Sequence, residues 1–162
     1  MVNTYCRMQG FTLIELMITV SIVAILAVTG IALTANWSKQ TEINQTSMAL
    51  QSAFQLAKAA AIRNASASEP TAIASQLCLD STNNKLTVHR ASNSAPADCQ
   101  SPTIFEFALH PKIDIQHRNS KPFKCFSFNH YGLMVSTPAN DCSSNVFFNI
   151  SYGNIHVDQT LR

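Results

Sequence analysis

Charge is scarce in this chain. Only 12% of its 162 residues are charged, and the formal balance is +2 with the histidines neutral. So small a surplus argues against partners held by charge alone, such as nucleic acid or an anionic membrane surface. Glycine is scarcer still, at four residues, so no glycine-rich loop is available to cradle a phosphate. The five histidines, His89, His110, His117, His130 and His156, are scattered, and there is no HExxH. No CxxC occurs, and cysteine and histidine are not grouped at zinc-ligand spacing. Serine is common but never forms the GxSxG elbow. With no visible set of nucleophile, base and orienting group, the chain is not expected to be an enzyme, to bind a metal or to need a cofactor.

Proline is absent from Phe11 to Ser68, and this absence frames what is there. Phe11 to Ala35 is an apolar run carrying a single charge, Glu15. A helix of roughly 25 residues, rising about 1.5 Å each, exceeds the ~30 Å hydrocarbon core of a bilayer. The run therefore reads as a membrane segment. An ordinary secretory signal has an apolar core of only about 7–15 residues, with the cleavage site after it. Here polar residues 1–10, ending in Gly10, come first, and a cut at Gly10 leaves the apolar segment attached. A carboxylate at the head of such a run is costly in lipid and is read as functional unless it reaches the headgroups.

The helical pattern continues past the membrane edge. Trp37 and Lys39 suit the lipid–water interface. Ile43, Ser47, Leu50, Phe54, Ala57 and Ala61 then recur at three- and four-residue steps, which places one apolar stripe along a helix. The reading is one helix from about Phe11 to about Asn64, on the order of 80 Å long. Residues 11–35 would be its membrane or filament-core half, and 36–64 its amphipathic continuation.

From Ala65 to Arg162 short β-type runs alternate with turn residues. Gln76–Leu79 and Lys85–Arg90 flank a turn at Asp80–Asn84, a hairpin pattern. Thr103–Leu109 and Lys112–His117 flank His110-Pro111. Lys124–Phe128, Val146–Ile150 and Ile155–Val157 complete the set, with loops at Ser92–Pro102, Arg118–Pro122 and Ser136–Ser144. The fold class expected is α+β, a long N-terminal helix packed on an antiparallel β domain that covers its stripe.

Five cysteines are present. Cys6 and Arg7 precede the apolar run, on the side that the positive-inside tendency keeps in the cytoplasm. Cys78, Cys99, Cys125 and Cys142 lie beyond it, and an even count in a translocated domain suggests two disulfides. Three pairings exist; Cys78–Cys99 and Cys125–Cys142 are favoured because each pair brackets one expected hairpin. The one basic cluster runs from His117 to Lys124, with Arg118, Lys121 and Lys124 as candidate DNA contacts. Three charges on a loop are better read as what a solvated loop carries.

The stretch Gly10-Phe11-Thr12-Leu13-Ile14-Glu15, followed by the apolar span, resembles the N-terminus of type IV pilins and of the pseudopilins of type II secretion. The resemblance covers roughly residues 7 to 60. It implies that a prepilin peptidase cuts between Gly10 and Phe11, that the new Phe11 amine is methylated, and that Glu15 serves subunit assembly. Phe128-Asn129-His130-Tyr131-Gly132, then Val146–Ile150, then Gly153 before Ile155 and Val157, looks like the ending of GspH/FimT-type minor pilins. That implies a minor pilin at or near the tip of a filament, or a secretion pseudopilin. Its partners would be other minor pilins, a major pilin and the prepilin peptidase. It would be held in the bacterial inner membrane by a single pass, its β domain in the periplasm, before entering a pilus or pseudopilus. Where some DNA-binding members carry a glycine-arginine-any-arginine motif, this chain has Gly153, Asn154, Ile155 and His156, which opposes a receptor for nucleic acid. Gly30 stands where many major pilins have a helix-weakening proline.

Overall fold

A computed structural model describes residues 10–64, 72–92, 95–136 and 141–161, with the backbone alone at 30–33 and 35. The expected leader before Gly10, including Cys6, the loop over Ser66, Ser68, Glu69, Pro70 and Thr71, and Arg162 lie outside the described residues. One helix, α1, runs Leu13–Ile62, 50 residues. Thr12 starts it: its hydroxyl accepts the Glu15 N–H at 3.3 Å and its carbonyl the Leu16 N–H at 3.1 Å. Such a cap satisfies donors that the first turn leaves orphaned. Asn64 ends it. Its side-chain amide donates to the carbonyls of both Ala74 and Ala91, each at 3.1 Å, so the helix stops where it is tied to the β domain.

The chain forms two compact units, Met1–Ser38 and Lys39–Arg162. In the second, seven strands follow the helix: β1 (Ser75–Asp80), β2 (Lys85–Arg90), β3 (Thr103–Ala108), β4 (Ile113–His117), β5 (Cys125–Phe128), β6 (Phe147–Tyr152) and β7 (Ile155–Thr160). They make two antiparallel sheets, β3-β2-β1-β5 and β4-β6-β7. The expected hairpin around Asp80–Asn84 is β1–β2, where the Asp80 carboxylate accepts the N–H groups of Thr82 and Asn83. The strands on either side of His110-Pro111 do not pair with each other. β3 pairs with β2, and β4 with β6. A turn closed by Ile113 N–H on His110 O (2.9 Å) lets the chain cross between sheets, and proline does not supply the positive-φ positions of a tight hairpin.

Both sheets bury their inner faces with the outer part of α1. Ile43, Leu50, Ala53, Phe54, Ala57 and Ala61 of the helix share one core with Leu77, Leu86, Val88, Phe126 and Phe128 of the first sheet and Ile115, Phe148 and Ile150 of the second. Phe54 meets Phe126 and Phe128 edge-on, centroids 5.4 and 5.2 Å apart. The alanines let strand and helix approach closely enough for the Ser75 hydroxyl to reach the Ala57 carbonyl. The stripe differs from the sequence reading at one point. Thr46 is buried, while Ser47 is half-buried and its hydroxyl meets the Gln159 side chain. Cys78–Cys99 and Cys125–Cys142 are disulfides, closing separations of 21 and 17 residues. The first brackets β1–β2 as expected. The second brackets no full hairpin, only a turn closed by the isolated Phe128–Met134 bridge.

Two outcomes follow from this core. Phe126→Ala should lower the unfolding free energy by about 3–5 kcal/mol, read from urea unfolding with the disulfides intact. His117 is buried between the rings of Phe123 and Phe148, and burial pushes its pKa below 6.5. The fold therefore favours the neutral ring. The stability it contributes is full above pH 6.5 and is lost as pH falls through that value towards the lower folded pKa. His117→Phe should flatten the urea midpoint across that window.

Candidate functional site

Of the residues singled out at the N-terminus, Gly10 and Phe11 are exposed and precede the helix, and Phe11 is 79% accessible. Glu15 lies in the first turn, where the helix dipole favours a negative charge. Thr12 is a residue that sequence reasoning passed over. The signal was the spacing Thr-x-x-Glu, which marks a helix start. Thr12 binds the backbone of Glu15 and leaves its carboxylate exposed, with no hydrogen bond or ion pair among the described residues.

Behind that carboxylate, apolar side chains are exposed on every side. Leu13, Ile14, Leu16, Met17, Ile18, Val20, Ile22, Val23, Ile25, Leu26 and Val28 are each more than half accessible. An all-round apolar helix is stable only when lipid or other helices cover it. The hydroxyls within it are already satisfied: Thr19 donates to Leu16 O, Ser21 to Met17 O, and Thr29 to Ile25 O and Leu26 O. Such internal pairing is what an apolar surrounding demands. Ser21 also notches a shallow groove between Ile14, Met17, Ile18, Ile22 and Ile25. Among the described residues no helix is long and apolar enough to cross a membrane. The described side chains of the apolar run break off after Thr29.

The basic cluster does not act as one patch. Lys121 and Lys124 line a hollow with Asp141, and Lys124 is ion-paired to that carboxylate. The hydrogen bond from Lys124, and its charge, hold Asp141 below the usual carboxylate range. Arg118 lines a different hollow with Gln116, Asn149, Ser151, His156 and Asp158 on the outer face of β4-β6-β7. That polar face was also passed over. Its signal was the alternation of Asn149 and Ser151, then His156 and Asp158, with apolar residues. The Asn149 amide donates to Asp158 there at 3.0 Å, which consumes much of its capacity to bind anything else.

At the C-terminal end Gly132 and Gly153 both have positive φ, 70° and 63°. A Cβ on Gly132 would come within 3.0 Å of Ile62, so this turn sits hard against the helix. Among the described residues no group of three or more potential metal ligands is found.

The prokaryotic N-terminal methylation motif matches residues 6–31. This is the type IV prepilin-like signal, and the helix packed on antiparallel sheets behind it is consistent with a pilin fold. It points to a family of structural subunits rather than enzymes, processed by a prepilin peptidase and assembled into pilus-like filaments. No curated protein and no solved structure is detectably similar to the chain.

Replacing Arg118, Lys121 and Lys124 together by alanine should leave DNA retention unchanged in a mobility-shift titration, because one of the three is already paired and another faces elsewhere.

Proposed function

We propose that the chain is a minor type IV pilin, a structural subunit that helps to initiate assembly and sits at or near the pilus tip. One observation carries the reading: a helix segment apolar on every side bears one carboxylate, Glu15, without a partner among the described residues, inside a matched prepilin-type signal. In this reading residues 1–10 are a leader, cut between Gly10 and Phe11, and the freed Phe11 amine is methylated. Residues 11–35 hold the subunit in the bacterial inner membrane as a single pass and later in the filament core. Residues 36–64 continue the helix, and 65–162 form the extracytoplasmic domain.

The physical role of Glu15 follows from its surroundings. A carboxylate in lipid costs several kcal/mol, and a cation beside it offsets that cost. At 4 Å and an effective dielectric of about 20 the attraction is on the order of 4 kcal/mol. The Phe11 ammonium of a neighbouring subunit, displaced along the filament axis, supplies such a cation. The subunit's own Phe11 amine, two residues before the helix starts at Leu13, is a second source of such a cation. The minor role is supported by the endings at Gly132 and Gly153, which look like those of GspH/FimT-type subunits. A secretion pseudopilin would present the same features, so the assay must separate the two.

Cells lacking the chain should shed far fewer surface pili on shearing, and the wild-type gene should restore them. Glu15→Ala should enter the membrane normally yet appear in filaments at roughly a tenth of the wild-type level or less, a loss of about 1.4 kcal/mol or more. Normal pili in the deletion strain, with impaired secretion, would instead make this a pseudopilin. Equal incorporation of Glu15→Ala would remove the assembly role from Glu15.

A further inference from the structure

The register between β1 and β5 sets Cys78 directly opposite Cys125. Leu79 N–H bonds to Lys124 O at 2.8 Å, which marks the next pair along as hydrogen-bonded. Pairs alternate along an antiparallel ladder, so Cys78 and Cys125 form the closer, non-hydrogen-bonded kind, with Cα atoms about 4.5 Å apart and side chains on one face. That separation is within what a disulfide spans, about 4.4–6.8 Å. Yet each cysteine is bonded to a loop residue instead, Cys78 to Cys99 and Cys125 to Cys142.

The four sulfurs differ in access. Cys78, Cys125 and Cys142 make one buried cluster, while Cys99 is exposed. Cys99, Cys125 and Gln76 line an open pocket with Asp98 and Gln100. The buried Gln76 amide donates to Cys142 Sγ at 2.8 Å. Asp98 is held ionised by hydrogen bonds from Ser101 and Gln100, so it sets a negative charge beside Cys99.

We propose that the two disulfides form one exchangeable pair, entered by a small cationic thiol at Cys99 and resolved as a Cys78–Cys125 cross-strand disulfide. The external thiolate attacks Cys99 Sγ. It forms a mixed disulfide there and expels Cys78 as a thiolate. Burial raises the pKa of this thiol, and the intrinsic nucleophilicity of the expelled thiolate rises with it. The sulfur facing it across the ladder is Cys125. Attack on Cys125 forms Cys78–Cys125 and expels the Cys142 thiolate, which the Gln76 N–H stabilises as it leaves. Two S–S bonds exist before and two after, so the protein is neither oxidised nor reduced. The only proton released is the one the external thiol loses, and Cys142 can take it up. The result staples β1 to β5 inside the sheet and frees the Ser92–Pro102 and Ser136–Ser144 loops from their crosslinks. Asp98 disfavours anionic thiols at the entry point.

The test uses the full chain in detergent, with Cys6→Ser to remove the fifth cysteine. The folded protein is treated with cysteamine, quenched with acid, alkylated and mapped without reduction. The expected products are cysteamine on Cys99, a Cys78–Cys125 peptide and alkylated Cys142, formed faster than with anionic glutathione. Gln76→Leu should shift the alkylation from Cys142 to Cys78 while Cys99 still reacts. In a Cys99→Ser/Cys142→Ser chain, mild oxidation of the folded protein should join Cys78 to Cys125. In the Cys6→Ser protein with Gln76 in place, no reaction at Cys99, a Cys99–Cys142 or Cys99–Cys125 peptide, or alkylated Cys78 beside an intact Cys125–Cys142 bond would each overturn the proposal. So would failure of the double variant to crosslink.

Discussion

The edge-on contact of Phe54 with Phe126 and Phe128 is what the second unit depends on. Neither sheet can close a core alone. The first buries Leu77, Leu86, Val88 and two phenylalanines, and the second buries Ile115, Phe148 and Ile150 beside its buried histidine. A helix face must lie between them and solvent, and it must come close. Alanine at 53, 57 and 61 permits that approach, and Phe54 fills the space the alanines leave. Phe126 then touches Phe123 and Phe148 as well, which passes the packing from the first sheet to the second.

The same helix obeys a different rule before Ser38. There it buries nothing among the described residues and shows apolar side chains on all faces, with its hydroxyls turned back onto its own carbonyls. Polar groups that can be satisfied internally are satisfied. The carboxylate of Glu15 is the exception: it is exposed and makes no hydrogen bond or ion pair among the described residues. Elsewhere the charges are spent locally: Lys85 on Glu106 and Lys124 on Asp141, both exposed pairs of small energetic weight.

How much could be read in advance varied with the kind of signal. The helix was legible within two residues at each end, because the proline-free apolar run and the stripe from Ile43 to Ala61 are strong periodic signals. Short β-type runs set between turn residues located all seven strands. Their partition into two sheets was not legible, since it turns on how the turn at His110-Pro111 redirects the chain, a tertiary matter. Ser47 was placed in the stripe, yet Thr46 is the buried one of the two, because burial there is set by which side chain the β domain covers and not by spacing alone. At the N-terminus the glutamate stood out by its cost, whereas Thr12 went unnoticed because a cap is inexpensive and common. The basic cluster looked like one feature in the sequence. Only folding shows that a turn after β4 sends Arg118 one way and Lys121 another.

The paired cysteines also have a mechanical meaning. A filament subunit works under tension, and a β domain fails by paying out chain. Each crosslink removes the stretch between its ends from what a pull can extend, 21 residues in one case and 17 in the other. At roughly 3.4 Å per residue that withholds on the order of 130 Å of contour from the load.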